Sequence, residues 1–356
     1  MYPNLYIHVP FCRRKCGYCA FYSATGADEK LIDRWLDRIM EQYWAKIAPH
    51  TPRTVFVGGG TPTILTEKQL DRLCTALDST LETTIETNPE TMTPGKAAVL
   101  RPHITRVSMG VQSFNPEFRK ILGRRTDSEA IDAAVKIIRG IPEWQFNIDL
   151  IYGIPGQTLD DWRDDLRRAI DCGVNHLSCY SLTLEEGTAL AAACGCEQIA
   201  DDELAADMWQ MAGEVLAEAG LMRYEISNYA RPGFECRHNN AVWHGEPYLG
   251  LGPAASSFDG ADRWTETASL TEWLEDKKPE FDHLDARMRR NEIFAFGLRT
   301  TAGWKRAQWE DWEGIAADFR QLQLPAELIV IEPDGIRLTD RGLLLWDSVA
   351  EACLSM

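Results

Sequence analysis

The stretch Tyr6-Ile7-His8-Val9-Pro10-Phe11-Cys12-Arg13-Arg14-Lys15-Cys16-Gly17-Tyr18-Cys19-Ala20-Phe21 joins a short apolar strand to a loop that carries three cysteines. Thiolates are soft ligands of iron–sulfur clusters, and C-x3-C-x2-C lets one tight loop reach three corners of a cubane. The fourth iron then has no protein ligand and becomes a seat for a small molecule. Two plainer readings compete. Disulfides need paired cysteines in an oxidising compartment, and the chain starts without a basic-then-apolar signal segment. A zinc tetrahedron needs a fourth Cys or His, and the nearest, His8, lies inside the apolar run Leu5–Val9. The spacing favours a cluster held by Cys12, Cys16 and Cys19. The remaining cysteines, Cys74, Cys172, Cys179, Cys194, Cys196, Cys236 and Cys353, are scattered and read as small buried hydrophobes.

A chain of 356 residues is long enough for one barrel-sized domain and a small appendage. The formal charge of −17 and a pI near 4.9 argue against a nucleic-acid partner, which would call for clustered Lys and Arg. No run is long and apolar enough to cross a bilayer, so stable membrane insertion is not expected and the chain reads as cytoplasmic.

From the first residues to about Tyr180, strand-like runs alternate with amphipathic segments of helical length, the pattern of βα units around a parallel sheet. Strands are expected at Leu5–Val9, Thr54–Val57, Thr83–Glu86, Arg106–Gly110, Asn147–Leu150 and His176–Tyr180. Helices are expected at Leu31–Ile47, with Leu31, Ile32, Trp35, Ile39, Trp44 and Ile47 on its apolar face, and at Asp160–Cys172. Six units predict an α/β fold, a partial (β/α)6 barrel. Downstream come a helical stretch near Asp201–Ala219, a glycine-rich segment Gly245–Gly260 and a charged run near Glu275–Arg290. The division predicted is residues 1–288 for the barrel with its extension and 289–356 for a small α+β, winged-helix-like domain. The latter would hold a helix at Asn291–Gly297, a hairpin Leu328–Leu338 turning at Pro333-Asp334-Gly335, and a last helix from Asp340.

Ligands of such sheets sit at the carboxyl ends of the strands. There the sequence places the cysteine loop, Gly58-Gly59-Gly60-Thr61, Glu86, Gln112 and Asp149. Three successive glycines permit close backbone approach to a ligand, although a tight turn also asks for glycine. Glu86 and Asp149 suit ribose hydroxyls or an ammonium, or act as structural acceptors. Arg124 either neutralises a bound carboxylate or pairs with Asp127. Gly250-Leu251-Gly252 lacks the third glycine of a dinucleotide fingerprint.

The segments YIHVPFCRRKCGYCAF, FVGGGTPT, ETNPET, RVSMGVQSFN with LGRRT, NIDLIYGIPGQT, HLSCYSLTLEEGT, YEISNYARPGFECRHNN, GLRT and LTDRGLLLWDSV resemble, in order and over nearly the whole chain, a branch of the radical S-adenosylmethionine (SAM) superfamily. That branch holds oxygen-independent coproporphyrinogen III oxidases and related haem chaperones. The resemblance implies a radical SAM barrel with a C-terminal domain like that of the oxidases, and a [4Fe–4S] cluster on Cys12, Cys16 and Cys19. It also implies SAM bound at the unique iron with Tyr6, Gly59, Gly60, Thr61, Glu86, Gln112, Arg124 and Asp149 around it. An electron donor for the cluster is implied as well, and no side chain is marked as catalytic.

Oxidases of the branch carry a further cysteine two residues after the third, where this chain has Phe21, and a longer leader than Met1 to Phe11. Both features resemble the haem-chaperone group, which implies haem as bound cargo and an apo-haemoprotein as acceptor, with oxidase activity on coproporphyrinogen III not expected. The group's HNxxYW segment reads here as His238-Asn239-Asn240-Ala241-Val242-Trp243, with Val242 in place of Tyr and Ser256 where a downstream His often stands. His238 is thereby implied as a haem ligand, against the plainer reading of a satisfied polar histidine. The competing reading is an enzyme acting on a tetrapyrrole or another flat substrate, oxidase-like or methyltransferase-like.

Overall fold

A computed structural model describes residues 2–194 and 201–356, so Met1 and Cys196 lie outside the described residues. Six parallel strands form its centre: β1 Asn4–Val9, β2 Thr54–Gly59, β3 Glu82–Thr87, β4 Arg106–Gln112, β5 Gln145–Tyr152 and β6 His176–Ser181. They pair in chain order, as right-handed βα units demand. All six expected strands are present, each reaching slightly beyond its expected bounds.

Helices cover the outside. The helix Glu29–Lys46 starts at Asp28, whose carboxylate accepts from the Leu31 N–H, and buries Trp35, Leu36 and Ile39. Trp44 departs from its expected place on the apolar face and is exposed. Leu159–Asp171 opens on a capping box built by Thr158 and Asp161 and buries Trp162 and Leu166. Asp202–Glu218 covers the expected third helical stretch.

The glycine-rich segment differs from expectation. It contains a seventh parallel strand, β7 Tyr248–Leu251, which pairs with the free edge of β1 in the register Tyr6↔Gly250 and Ile7↔Leu251. Antiparallel strands Ser256–Phe258, Arg263–Thr265 and Glu280–Asp282 continue that edge, while Asn228–Ala230 and Met222–Arg223 continue the other beyond β6, giving one sheet of 12 strands. A Cβ on Gly250 would lie 2.2 Å from the Ser256 carbonyl oxygen, so this strand requires glycine at that position.

Near the C-terminus, helix Ala286–Gly297 runs across position 289. The hairpin pairs Ile329–Glu332 with Gly335–Leu338 and joins Trp304–Lys305 in a separate three-stranded sheet. The expected last helix is two helices, Asp340–Leu344 and Trp346–Leu354.

Candidate functional site

The strands turn alternate faces to the core and to the barrel interior. On β4, Val107, Met109 and Val111 are buried against the helices, whereas Arg106, Ser108, Gly110 and Gln112 line a cavity of about 620 Å³. Asn147, Asp149 and Ile151 of β5 and Ser178 and Tyr180 of β6 share this cavity, and the cysteine loop lines it as well. Ten of the expected site residues line it: Cys12, Cys16, Cys19, Gly59, Gly60, Thr61, Glu86, Gln112, Arg124 and Asp149. Tyr6 and His238 are not on its wall.

The cysteine loop is tied down by backbone bonds, Gly17 N–H to the Leu122 carbonyl at 2.9 Å and Leu190 N–H to the Gly17 carbonyl at 2.7 Å. Burial raises the Cys12 and Cys19 thiols above their ordinary range; the Thr61 and Ser23 hydroxyls oppose this at Cys12, as a hydrogen bond to Phe21 does at Cys19. The Thr61 hydroxyl lies 3.6 Å from Cys12 Sγ and accepts from Asn88 Nδ2 at 2.8 Å, while Asn88 Oδ1 accepts from Arg124 Nη2. Asn88 thus links the thiol end of the cavity to Arg124. Asp127 is instead engaged in capping the helix Ser128–Arg139, so the plain pairing with Arg124 does not form. Arg124 Nη1 is buried with no partner, which an acidic ligand group would satisfy.

The glycine run has a packing origin at this end of the barrel. A Cβ on Gly59, at φ +103°, would meet the His8 ring at 2.5 Å, and one on Gly60 would meet the Phe11 carbonyl oxygen at 2.6 Å. The glycines therefore let the β2 turn lie directly on β1 and the start of the cysteine loop. Gln112 sits at φ 70° on an irregularity between Gly110 and Gln112, and a non-glycine residue held there marks local strain of the kind concentrated at sites.

Two carboxylates face the cavity differently. Asp149 accepts from Asn147 Nδ2 at 2.7 Å and from the Ser108 hydroxyl at 3.2 Å. Glu86 has the Gly59 N–H at 3.0 Å, but burial and the nearby Asp149 outweigh that bond and push its carboxyl up to about 8. At neutral pH Glu86 holds a proton. A cationic ligand beside it should bind more tightly as pH rises, by up to roughly tenfold per unit below that value, with proton release, and level off above it. Calorimetry in buffers of different ionisation heat measures this directly, and an affinity independent of pH would place Glu86 away from the ligand. Without ligand, the folded state holds this proton more tightly than the unfolded chain, so the group costs stability as pH rises from 4.5 to about 8.

Tyr6 bonds His8 Nδ1 at 3.1 Å beneath the site. His238 is 5% exposed. The Thr54 hydroxyl donates its one hydrogen to Asn4 Oδ1, so His238 Nδ1 is the donor in its 2.8 Å bond to Thr54. Burial lowers its pKa to about 4. Its backbone and that of Arg237 are capped by the buried Glu82 carboxylate, at 3.2 and 3.1 Å. In this structure His238 therefore stands as a satisfied histidine at a helix start, the plainer of its two readings. Its replacement by Ala should lower stability by about 1–3 kcal/mol, as loss of a buried hydrogen bond does, with little effect on haem affinity; a Soret titration that fails only in the variant would restore the ligand role.

Three thiols, two carboxylates and a free guanidinium N–H on one cavity fit a cluster with an amino-acid-bearing ligand at its open corner. Among the described residues, no three His, Cys, Asp or Glu side chains are grouped closely enough to hold a single metal ion. Asn88, Ser108, Asn147 and Arg106 were not singled out from the sequence; the polar alternation of Arg106, Ser108 and Gln112 with Val107, Met109 and Val111 is the signal that carries them.

Residues 6–169 match the radical SAM superfamily. Along 99% of its length the chain is 35% identical to the protein named heme chaperone HemW of Mycobacterium tuberculosis (strain CDC 1551 / Oshkosh), of which 94% is covered. It is 31% identical, over 99% of the chain and 98% of the relative, to heme chaperone HemW of Escherichia coli (strain K12). It is also 30% identical to the radical S-adenosyl methionine domain-containing protein 1, mitochondrial, of Bos taurus, over 99% of the chain and 87% of that protein. The solved structure of coproporphyrinogen III oxidase (HemN) from Escherichia coli, a radical SAM enzyme, matches with a TM-score of 0.85 at 23% identity, over 99% of this chain and 90% of that one, which is a likeness of fold. Among the described residues no helix is long and apolar enough to cross a membrane.

Proposed function

Because the chain belongs to the HemW family within the radical SAM superfamily, we propose that it is a haem chaperone, which binds haem as cargo and delivers it to an apo-haemoprotein. The observation that carries this reading is the meeting, in one cavity, of Cys12, Cys16 and Cys19 with Glu86, Asp149 and Arg124, together with an aromatic side chain, Phe21, at the position of the oxidases' further cysteine. Phe21 is 69% exposed at the cavity, an apolar plate against which a flat ligand can lie.

In this reading Cys12, Cys16 and Cys19 hold a [4Fe–4S] cluster, and Glu86, Gln112, Arg124 and Asp149, with Tyr6, Gly59, Gly60 and Thr61 around them, position SAM. When bound and reduced by an external electron donor, such a cluster supplies one electron to a sulfonium. The protein's own part is to orient and to exclude. Arg124 offers Nη1 to a carboxylate, Glu86 releases its proton to solvent as a cationic group arrives beside it, Asn147 and Ser108 fix the Asp149 oxygens, and Thr61 offers its hydroxyl hydrogen to Cys12.

We assign the protein to the cytoplasm; the described cysteines are all free thiols, which suits a reducing compartment. We also keep 1–288 and 289–356 as the two units of the chain, the second winged-helix-like, a reading supported by its separate three-stranded sheet.

The test is a haem titration of anaerobically reconstituted protein followed by transfer to an apo-haemoprotein, alongside incubation with coproporphyrinogen and SAM under reducing conditions. A Soret shift, haem transfer and unreacted coproporphyrinogen are expected. Vinyl products accumulating with turnover would replace the chaperone reading by the enzymatic one.

A further inference from the structure

Buried guanidinium groups in this molecule fall into two kinds. Arg119 is fully used inside the chain, with Nε bonded to the Thr126 carbonyl, Nη1 to the Ser113 carbonyl and Nη2 to the Ser128 hydroxyl. Arg289 is paired with Glu292. Arg106 and Arg124 are different. They are 2% and 8% exposed, neither has a carboxylate within 4.0 Å among the described residues, and each leaves a buried nitrogen with no partner, Nε in Arg106 and Nη1 in Arg124. Both line the same cavity.

A buried cation without a counter-ion is strongly disfavoured, because it has lost its hydration and gained no partner. Among the described residues Arg106 has one weak bond of its own, Nη1 to the Phe234 carbonyl at 3.5 Å. Around it the cavity wall is made of small neutral polar groups, Ser108, Asn147, Ser178 and Asn228, together with Cys236. The nearby acids are engaged elsewhere: Glu82 caps the helix Arg237–Trp243, Glu225 is bonded by Arg299, and Asp149 is held by Ser108 and Asn147. Nothing in the wall neutralises Arg106.

The two arginines approach the cavity from different ends of β4. Arg124 Nη1 lies 3.2 Å from the position of a Cβ on Gly110, while Arg106 begins the same strand four residues earlier, roughly 13 Å away at the rise of a parallel strand. Arg124 is at the thiol end and Arg106 at the inner end.

We propose that Arg106 is a second anion-binding residue of the cavity, receiving a carboxylate at its inner end while Arg124 receives one at the cluster end. This rests on the proposed function for the ligand classes: the carboxylate is a propionate of the tetrapyrrole or the amino-acid carboxylate of a further SAM molecule, and in either case the chemistry at Arg106 is the same charge-assisted pair.

The experiment compares reconstituted wild-type protein with Arg106→Gln and Arg106→Lys in two arms. One titrates haem and haem dimethyl ester, whose propionates are masked; the other titrates SAM and decarboxylated SAM. In the arm that supplies the anion, the wild type should prefer the free acid by roughly tenfold to a hundredfold, the size of a hydrogen bond to a buried charge. Arg106→Gln should erase that preference in the haem arm, or in the SAM arm lower it to the part that Arg124 supplies, and Arg106→Lys should keep more of it than Arg106→Gln. Equal affinities of wild type and Arg106→Gln for haem and for SAM would overturn the assignment while leaving haem carriage intact. A wild type that binds no haem counts against the chaperone reading alone, since the SAM arm still reports on Arg106. Should Arg106→Gln fail to fold, Arg106→Lys decides: affinities for haem and for SAM equal to those of the wild type, with the same preference over the masked forms, overturn the proposal.

Discussion

Replacing any one of Cys12, Cys16 or Cys19 by alanine is expected to leave the protein with no stable cluster after anaerobic reconstitution. Three-thiolate ligation has no spare donor, and the loss of one soft ligand is not made good by water. The neighbouring thiol cannot step in. Cys236 lines the same cavity, but it is buried, its Sγ lies 3.6 Å from Glu82 Oε1, and burial and the Glu82 charge push its thiol up to about 12. It is a proton-bearing group at a helix start. Iron and sulfide analysis, with the visible charge-transfer absorption, should therefore fall to background in the three variants and stay unchanged in Cys236→Ser. A cluster that survives one of the three changes, or that is lost with Cys236, would redraw the ligand set.

The parts of the fold that the sequence discloses are those set by local pattern. The six central strands announce themselves by apolar runs such as Leu5–Val9, and their bounds move by only a residue or two because Gly, Pro and capping residues such as Asp28 and Thr158 punctuate them. The site residues at the strand ends are legible for the same reason. Strand β7 is not, because it is only four residues long with a glycine inside it and another directly after it, and its partner lies more than two hundred positions earlier; Gly250 is required by a carbonyl oxygen that only the fold brings to it. His238 shows a different limit. A histidine beside asparagine and tryptophan carries the chemistry of an iron ligand, but whether its ring faces a ligand or Thr54 depends on a contact across 184 residues. Arg106 stands between these cases: its place in the alternating row of β4 can be read, while its lack of a counter-ion cannot.

Arg299→Ala should destabilise the protein by about 3–5 kcal/mol, the cost of removing one member of a buried ion pair. Glu225 is 0% exposed. Arg299 donates to its Oε2 from Nε at 3.0 Å and from Nη2 at 2.8 Å, while the Ser227 N–H and the Asn228 amide satisfy Oε1. The same guanidinium lies over the rings of Trp243 and Trp346, 4.9 and 5.3 Å from their centroids. One side chain thus joins the segment leading into the edge strand Asn228–Ala230, the helix that follows Cys236, and the last helix of the chain, and the bridge between Glu225 and Thr300 fixes the backbones beside it. Alanine leaves the carboxylate buried and unpaired and removes both cation–π contacts. Lysine should recover part of the loss, since it restores charge without the planar fork. The double change Glu225→Gln with Arg299→Met should cost less than Arg299→Ala alone, because no charge is then left without water or partner. Denaturant unfolding of the cluster-free protein measures all three, and a loss within about 1 kcal/mol for Arg299→Ala, the range of a surface pair, would show that this contact does not hold the C-terminal helices to the barrel.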